Sequence, residues 1–220
     1  MSNIEAALEA ALVKDDRPLE PHESFWASSL GYCLRKQVAQ RAGLPPTVPF
    51  DFRLRLKFLM GHAIHAELQR KLLAAGYLNT TWTHLEGENV VEPRGVYRSY
   101  SFRPDGVRLV DPAVLEIKTT DDDSIAKYDT PPEGYLWQGF LNCLGTSLDQ
   151  LVLVQVGRSQ GLIKTREYPL TEEWRSKINE EIALADAAWE SYQTTKELPQ
   201  CRHRYKFEDR TCGYRPLMET

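Results

Sequence analysis

Three residues with the chemistry of a metal-dependent hydrolase lie in one short segment of this 220-residue chain. Asp105 stands at a turn, and Glu116 and Lys118 lie two residues apart in an apolar run. Because strand side chains alternate between faces, Glu116 and Lys118 should point the same way and Ile117 the other way. A hairpin can bring Asp105 alongside them. Two carboxylates can hold a hard cation, and a lysine can offset negative charge or orient a water. The group therefore predicts metal-dependent phosphodiester hydrolysis.

The elements that position this group follow from hydrophobic periodicity and from glycine and proline positions. Residues 1–22 are predicted to form a short helix and a proline-flanked loop. A helix with apolar residues at helical spacing follows over 52–75 and is ended by Gly76. Short apolar runs between turn residues predict strands. Further helices are predicted over 30–42, over 131–144 and from 171 onward, and the strands are predicted over 96–102, 107–110, 114–118, 151–156 and 162–168. This order of helices and strands along the chain is that of an α/β fold.

Pro104-Asp105 followed by Glu116-Ile117-Lys118 resembles the motif of the PD-(D/E)XK nuclease superfamily. The resemblance implies an α/β fold with a restriction-endonuclease-like core, a central mixed sheet flanked by helices and carrying a metal site at one end. It also implies that Asp105 and Glu116 bind Mg²⁺ or Mn²⁺ with help from the Ile117 carbonyl, and that Lys118 orients the attacking water. The residues alone also fit an aspartate at a turn and an exposed Glu/Lys pair on an edge strand.

A helical element before the aspartate resembles the RecB-like nucleases of that superfamily. Gly61 and His65 match a Gly-x-x-x-His element, and the match implies that His65 is a third metal ligand, with His62 as a neighbour. An imidazole ligand favours manganese over magnesium. By residue type alone, these histidines also fit partly buried helical side chains with backbone or acidic partners.

The helix after Lys118 carries part of a Gln-x-x-x-Tyr element of the same nucleases. Gln138 matches, and the resemblance implies that it supports catalysis by bonding the metal water, a phosphate or Lys118. Asn142 stands at the tyrosine position, where it keeps a polar group but loses a face on which DNA could stack. Three glutamates, Glu86, Glu88 and Glu92, fit solvent-exposed positions by default, and one of them can add a further carboxylate to the site.

The segment from Ser29 to Arg35 resembles the start of the CRISPR-associated Cas-four nucleases and related viral exonucleases. In that family, one N-terminal and three C-terminal cysteines hold a 4Fe–4S cluster. The resemblance implies that such a cluster is bound by Cys33, Cys201 and Cys212, with His203, Asp209 or a displaced cysteine as the fourth ligand.

The tail departs from the family pattern, which leaves the metal undecided. Asp209 and Met218 stand at two of the expected cysteine positions. Loss of two thiolates weakens an iron–sulfur site. The same groups can instead bind zinc, or the cysteines can pack as small hydrophobic residues. Cys143 is predicted to lie in the core.

The distribution of charge bears on the expected partner. The formal net charge is −4, but segment 30–72 holds eight Lys/Arg against two acidic residues, a net charge of +6. A basic stretch beside an acidic metal site suits DNA, although ordinary solvated faces give the same counts. DNA that is single-stranded or has accessible ends is the expected partner. The candidate phosphate contacts are Arg35, Arg53, Arg55 and Lys57.

Length and composition fit one nuclease domain over 1–220, with a helical part over 1–50, a catalytic core over 51–195 and a cysteine-bearing tail over 196–220. The chain lacks an apolar run of membrane-spanning length and the features of a signal peptide, so we expect no membrane partner and a cytoplasmic location, in the host cytoplasm if the protein is viral. The expected function is a Mg²⁺- or Mn²⁺-dependent DNA exonuclease, with endonuclease activity as an addition, in recombination, repair or CRISPR adaptation. The alternative is a non-catalytic DNA-binding or assembly module that keeps the fold.

Overall fold

The structure is a computed structural model that describes residues 4, 7, 10–11, 20–48, 51–127, 129–205, 208 and 212–214. Its helices are α1 (Leu34–Arg41), α2 (Phe52–Ala74), α3 (Asp122–Lys127), α4 (Glu133–Thr146) and α5 (Glu172–Thr195). Its strands are β1 (Phe25–Trp26), β2 (His84–Glu86), β3 (Asn89–Val91), β4 (Gly95–Tyr97), β5 (Tyr100–Phe102), β6 (Gly106–Val107), β7 (Val114–Thr120), β8 (Gln150–Gly157) and β9 (Ile163–Pro169). Most of the segment predicted as a short helix and loop, 1–22, lies outside the described residues.

The central sheet has four strands in the order β6-β7-β8-β9 and is mixed. Strands β6 and β7 are antiparallel, β7 and β8 are parallel, and β8 and β9 are antiparallel. A parallel pair needs a crossover connection, which α3 and α4 provide between β7 and β8. The prediction of a mixed α/β architecture is confirmed.

Helices cover both faces of this sheet, as its apolar strands require. Leu115 and Ile117 of β7 pack with Leu68 of α2 on one face. Val114 of β7 belongs to the core on the other face, together with Phe140 of α4 and further residues of α5. Burial of both faces explains the continuous apolar run over 151–154 in β8, whereas Glu116 and Lys118 interrupt the apolar residues of β7.

Helix α2 has the predicted extent, and its ends have local causes. The Asp51 side chain accepts a hydrogen bond from the Leu54 N–H at 2.7 Å and caps the first turn. Gly76 lies just past the end at φ +67°, a backbone conformation that glycine adopts without strain. A Cβ on Gly61 would stand 3.1 Å from Thr119 Oγ1. Glycine in mid-helix therefore lets α2 lie close to β7.

The helix predicted over 30–42 is shorter in the structure. A 3₁₀ turn occupies Ala27–Ser29, and α1 begins only at Leu34. Gly31 separates the two at φ +78°, and a Cβ there would lie 2.7 Å from the Trp137 ring. A left-handed residue cannot continue a helix, so close contact with α4 shortens the predicted element.

The strand predicted over 96–102 is two strands. Arg98, at φ 52°, forms the turn of a hairpin between β4 and β5, and β5 pairs in parallel with β1 to give a second sheet in the order β1-β5-β4. The hairpin of β2 and β3 and the short helix α3 were not predicted. The strand predicted over 107–110 is present only as β6. Among the described residues, no helix combines the length and apolarity that crossing a bilayer requires.

Candidate functional site

The β6–β7 hairpin brings Asp105 beside β7. Gly106 pairs with Leu115, so the residue before β6 lies level with the middle of β7. Asp105 Oδ2 accepts a hydrogen bond from the Ile117 N–H at 2.6 Å. The N–H and C=O of one strand residue point to the same side. The Ile117 carbonyl therefore opens toward Asp105, on an edge that β6 is too short to cover.

The side chains of Glu116 and Lys118 lie on the same face of β7, opposite to that of Ile117, as strand alternation predicts. Lys118 Nζ lies 2.6 Å from Glu116 Oε1. Glu116 is only 1% exposed, and β7 is an inner strand of the sheet. The alternative of an exposed Glu/Lys pair on an edge strand is therefore wrong.

Burial controls the ionisation of this pair. Removal from water raises the pKa of Glu116 to about 7, against the opposing charge of Lys118 and with added repulsion from Asp105. Burial alone would lower the pKa of Lys118, but Glu116 and Asp105 outweigh it and raise that pKa. Lys118 therefore stays protonated, while Glu116 changes charge near neutral pH.

His65 approaches the same group from α2. Its Nδ1 lies 3.6 Å from Asp105 Oδ1, and 24% of its side chain is exposed. Burial disfavours the imidazolium, but the hydrogen bond and charge of Asp105 outweigh it and raise the pKa of His65. His62 is exposed and lines the same cavity one turn earlier. The structure therefore places His65, rather than His62, against the carboxylates.

Of Glu86, Glu88 and Glu92, it is Glu92 that a shared hydrogen-bond partner links to Asp105. Gln69 is buried on α2 and donates to Glu92 Oε1 and to the Asp105 carbonyl, the latter at 2.7 Å. Arg103 Nε lies 2.9 Å from the other oxygen of Glu92. Burial and the charge of Asp105 raise the pKa of Glu92. The sequence signal for Gln69 is its position four residues after His65, on the same face of α2.

Helix α4 holds the Glu116–Lys118 pair from the opposite side. Gln138 Oε1 accepts a hydrogen bond from Lys118 Nζ at 2.8 Å, one of the three roles the sequence left open. Asn142 is fully buried and donates to Glu116 Oε2 at 3.0 Å. The position lies in the core and supports a carboxylate.

A cavity of about 830 Å³ opens onto the carboxylates, Lys118 and His65. Its lining includes Asp105, Glu116 and Lys118. Besides the acidic Glu88 and Glu92, the lining includes aromatic and basic side chains from β1, from α2 and from the segments after β3 and β5, namely Trp26, Phe58, Arg70, Arg94 and Arg103. A cavity lined by acidic, basic and aromatic groups suits a ligand that carries both phosphates and rings.

The four basic residues predicted to contact phosphate are placed differently. Arg35 donates to the Tyr214 carbonyl at 2.8 Å and to the Pro199 carbonyl at 3.2 Å, so its guanidinium holds the tail. Arg53, Arg55 and Lys57 lie in the first turns of α2, whereas the cavity lining on this helix begins at Phe58. The cavity instead presents Arg94 and Arg103, which the sequence did not single out.

A second group of metal-ligand types lies near the start of α1. The ligand atoms of Cys33, Cys201, His203 and Cys212 all lie within 4.8 Å of one another, and we call these four residues the Cys3His group. His203 is thus the fourth member, while Asp209 lies outside the described residues. This group can bind a metal ion. Cys143 is buried in the core, as predicted.

Comparisons with known proteins give the fold a context. The sequence matches no protein-family model and no curated protein. Among solved structures, the fold is similar to that of SSO0001, with a TM-score of 0.53 and 17% identity over 96% of this chain and 93% of that chain. It is also similar to an alkaline exonuclease, LHK-Exo, from Laribacter hongkongensis, with a TM-score of 0.50 and 14% identity over 87% of this chain and 97% of that chain. The same exonuclease in complex with dAMP matches with a TM-score of 0.50 and 14% identity over 88% of this chain and 100% of that chain. At these identities the similarity shows the fold alone, and that fold is one that an exonuclease uses.

Proposed function

We propose that this chain is a divalent-metal-dependent DNA exonuclease of the PD-(D/E)XK type. One observation carries the proposal: Asp105 before β6, Glu116 and Lys118 on β7, and His65 on α2 converge in a single cavity. The fold shared with an alkaline exonuclease supports it. That neighbour binds dAMP, a nucleoside monophosphate, which is the kind of molecule released when single nucleotides are hydrolysed from a DNA end.

The donor set fits Mg²⁺ or Mn²⁺. Asp105 and Glu116 would offer carboxylate oxygens, the Ile117 carbonyl a neutral oxygen, and His65 a nitrogen that favours Mn²⁺. Hard oxygen ligands on one side of a cavity are the arrangement that such cations need. When bound, the cation would supply charge for the phosphate and lower the pKa of a coordinated water.

Lys118 would act on the water and on the phosphate. Its ammonium is fixed between Glu116 Oε1 and Gln138 Oε1, at 2.6 and 2.8 Å. The raised pKa keeps it charged at neutral pH. A fixed ammonium can orient an attacking water and stabilise the negative charge that develops on the phosphate oxygens. Gln138 would serve by holding the ammonium in place.

The rest of the cavity would bind the DNA strand. Arg94 and Arg103 can contact phosphates, which supplies affinity without reading sequence. Trp26 and Phe58 offer rings on which unpaired bases can stack, and Phe58 is 48% exposed. Stacking on exposed rings needs an unpaired base, so the cavity suits a single-stranded end.

The alternative is a DNA-binding or assembly module that keeps the fold without the chemistry. Such a module has no use for a carboxylate that is 1% exposed and whose pKa is raised to about 7. Burying a carboxylate costs free energy even when it is paired, and carboxylates with strongly raised pKa values in clefts are typical of catalytic sites. The site therefore favours the enzyme.

The test is cleavage of end-labelled single-stranded and double-stranded DNA with Mn²⁺ or Mg²⁺ and with an EDTA control. We expect metal-dependent shortening from the ends, and no cleavage by Asp105→Asn or Lys118→Ala. Lys71→Ala is the matched control, because Lys71 is exposed on α2, lies 3.5 Å from Glu67 on the same helix and is not part of the cavity lining. Circular dichroism establishes that each variant is folded. Wild-type cleavage by a folded Asp105 or Lys118 variant would refute the assignment, and binding of DNA without cleavage would favour the module.

A further inference from the structure

The Cys3His group joins parts of the chain that are distant in sequence. Cys33 directly precedes α1, whereas Cys201, His203 and Cys212 belong to the tail after α5. Cys33 and Cys212 are buried, and the other two are half-buried. The group is separate from the cavity that contains Asp105, whose lining includes none of its four members.

The spacing of the ligand atoms fits a single ion. Zinc binds thiolate sulfur at about 2.3 Å and imidazole nitrogen at about 2.0 Å, so neighbouring ligands of a tetrahedral site lie roughly 3.5–3.8 Å apart. Cys33 Sγ and Cys201 Sγ are 3.6 Å apart. Cys201 Sγ lies 2.9 Å from His203 Nε2, and no pair in the group exceeds 4.8 Å. Sub-ångström shifts of these side chains would bring all four to the distances of a tetrahedral site.

The same spacing argues against a 4Fe–4S cluster. In such a cluster each thiolate binds a different iron of a cube of four irons and four sulfides. The thiolates must therefore stand outside the cube, farther apart than the ligands of one ion. A group that lies within 4.8 Å has no room for a cube at its centre. It also offers three thiols and one imidazole, a set that structural zinc sites use.

Hydrogen bonds from outside the group hold its backbone in place. Glu208 is buried, and its carboxylate accepts from the N–H groups of Cys33, Arg204 and Tyr205 at 3.0, 2.9 and 3.0 Å. The bonds from Arg35 to the Pro199 and Tyr214 carbonyls fix the tail on both sides of the ligands. Glu208 and Arg35 thus fix the backbone that carries the ligands, as the residues around a metal site do when they orient its ligands.

From this arrangement we propose that Cys33, Cys201, His203 and Cys212 bind one structural zinc ion that fastens the tail to the start of α1. The proposal goes beyond the nuclease function and does not depend on it. All four positions are filled by protein, so the ion has no open position for catalysis. Binding releases the thiol protons, and its free energy adds to the stability of the folded tail.

The experiment measures metal in the untagged full-length chain, expressed with both iron and zinc in the medium and purified without oxygen. We expect about one zinc per chain, less than about a tenth of an iron, and no visible colour. Cys201→Ser and His203→Ala should lower retained zinc at least about tenfold under competition with a chelator. Cys143→Ala, which alters the buried thiol outside the group, and Asp105→Asn, which alters the other candidate metal site, should retain it.

Two further measurements keep the test decisive if a variant fails to fold. Cobalt(II) exchanged into the wild-type protein should give the visible absorption of a tetrahedral thiolate site. Titration of wild-type thiols with an organomercurial should release zinc in step with the modification of three cysteines. About four irons with inorganic sulfide, a folded chain with neither metal, or zinc that survives thiol modification would each overturn the proposal.

Discussion

Asn142→Leu should shift the pH dependence of metal binding while leaving the protein about as stable as before. Asn142 Nδ2 donates to Glu116 Oε2 at 3.0 Å, and this bond favours the ionised carboxylate. Asn142 Oδ1, by contrast, is buried without a hydrogen-bond donor among the described residues. Leucine removes both the bond and the unsatisfied acceptor. The two effects are each about 1–3 kcal/mol and opposite in sign, so the free energy of unfolding should change little.

The magnitude follows from the difference between hydrogen bonds to charged and to neutral groups. A bond to a charged group contributes about 1.5–3 kcal/mol and a neutral bond about 1, so the ionised form loses roughly 1.4 kcal/mol more, or about one pKa unit. The pKa of Glu116 should therefore rise from about 7 toward roughly 8. Because a proton competes with the metal, Mn²⁺ affinity at pH 7 should fall about fivefold in the variant. At pH 8.5 the two proteins should differ by less than about 1.5-fold.

Calorimetric titration with Mn²⁺ between pH 6 and 8.5 measures this shift. The wild-type affinity should rise about tenfold from pH 6 to pH 8 through Glu116 alone, with a further contribution from His65 in both proteins. Asn142→Asp is the control of similar volume, and its added negative charge should move the profile at least as far as leucine does. Parallel wild-type and Asn142→Leu profiles, separated by the same factor at every pH, would show that Asn142 does not act through the ionisation of Glu116.

Two further predictions concern the same cavity. His65→Ala should reduce Mn²⁺-dependent cleavage far more than His62→Ala, because only His65 lies 3.6 Å from Asp105 Oδ1, and equal losses in the two folded variants would show that the ligand assignment is wrong. Without added Mn²⁺ or Mg²⁺, the melting temperature should fall as pH rises from 5 to 8. The pKa of Glu116 is raised from its ordinary 4.5 to about 7 in the folded protein. Its contribution to the free energy of unfolding is therefore complete below pH 4.5 and is lost as pH rises through 7. The raised pKa of His65 acts in the same direction, and the slope should be smaller in Glu116→Gln; an equal slope would contradict the role of Glu116.

Helix α2 and the alternation of Glu116 and Lys118 could be predicted because both depend on local rules. A long periodic segment capped by Asp51 and ended by Gly76 has few other solutions. Strand alternation likewise fixes the relative directions of residues two apart. The β4–β5 hairpin could not be predicted, because its turn residue with positive φ is Arg98, a residue type that gives no turn signal.

The partners of buried polar groups could not be predicted, because they are set by packing between distant elements. Asn142 meets Glu116 only because α4 crosses β7, and nothing near either residue in sequence indicates it. The charge of Arg35 predicts a phosphate contact, but its guanidinium donates a hydrogen bond to the Tyr214 carbonyl of the tail. The sequence does not distinguish Glu92 from Glu86 and Glu88 as a further carboxylate of the site, because the link to the Asp105 carbonyl is made by Gln69 of α2.

The tail and the cavity are connected through the segment before α1. Trp26, Ala27 and Ser28 form part of the cavity wall, and Cys33 of the Cys3His group follows five residues later. On α1, Gln37 donates to the Tyr32 carbonyl and accepts from the Tyr100 hydroxyl, next to the β5 residues that form another part of the wall. Anything that holds Cys33 in place therefore also holds two parts of the wall around the candidate catalytic group. In the proposed arrangement, a soft thiolate site would fix the scaffold there, the hard oxygen donors around Asp105 would bind the catalytic cation, and the two sets of ligands would not compete for the same ions.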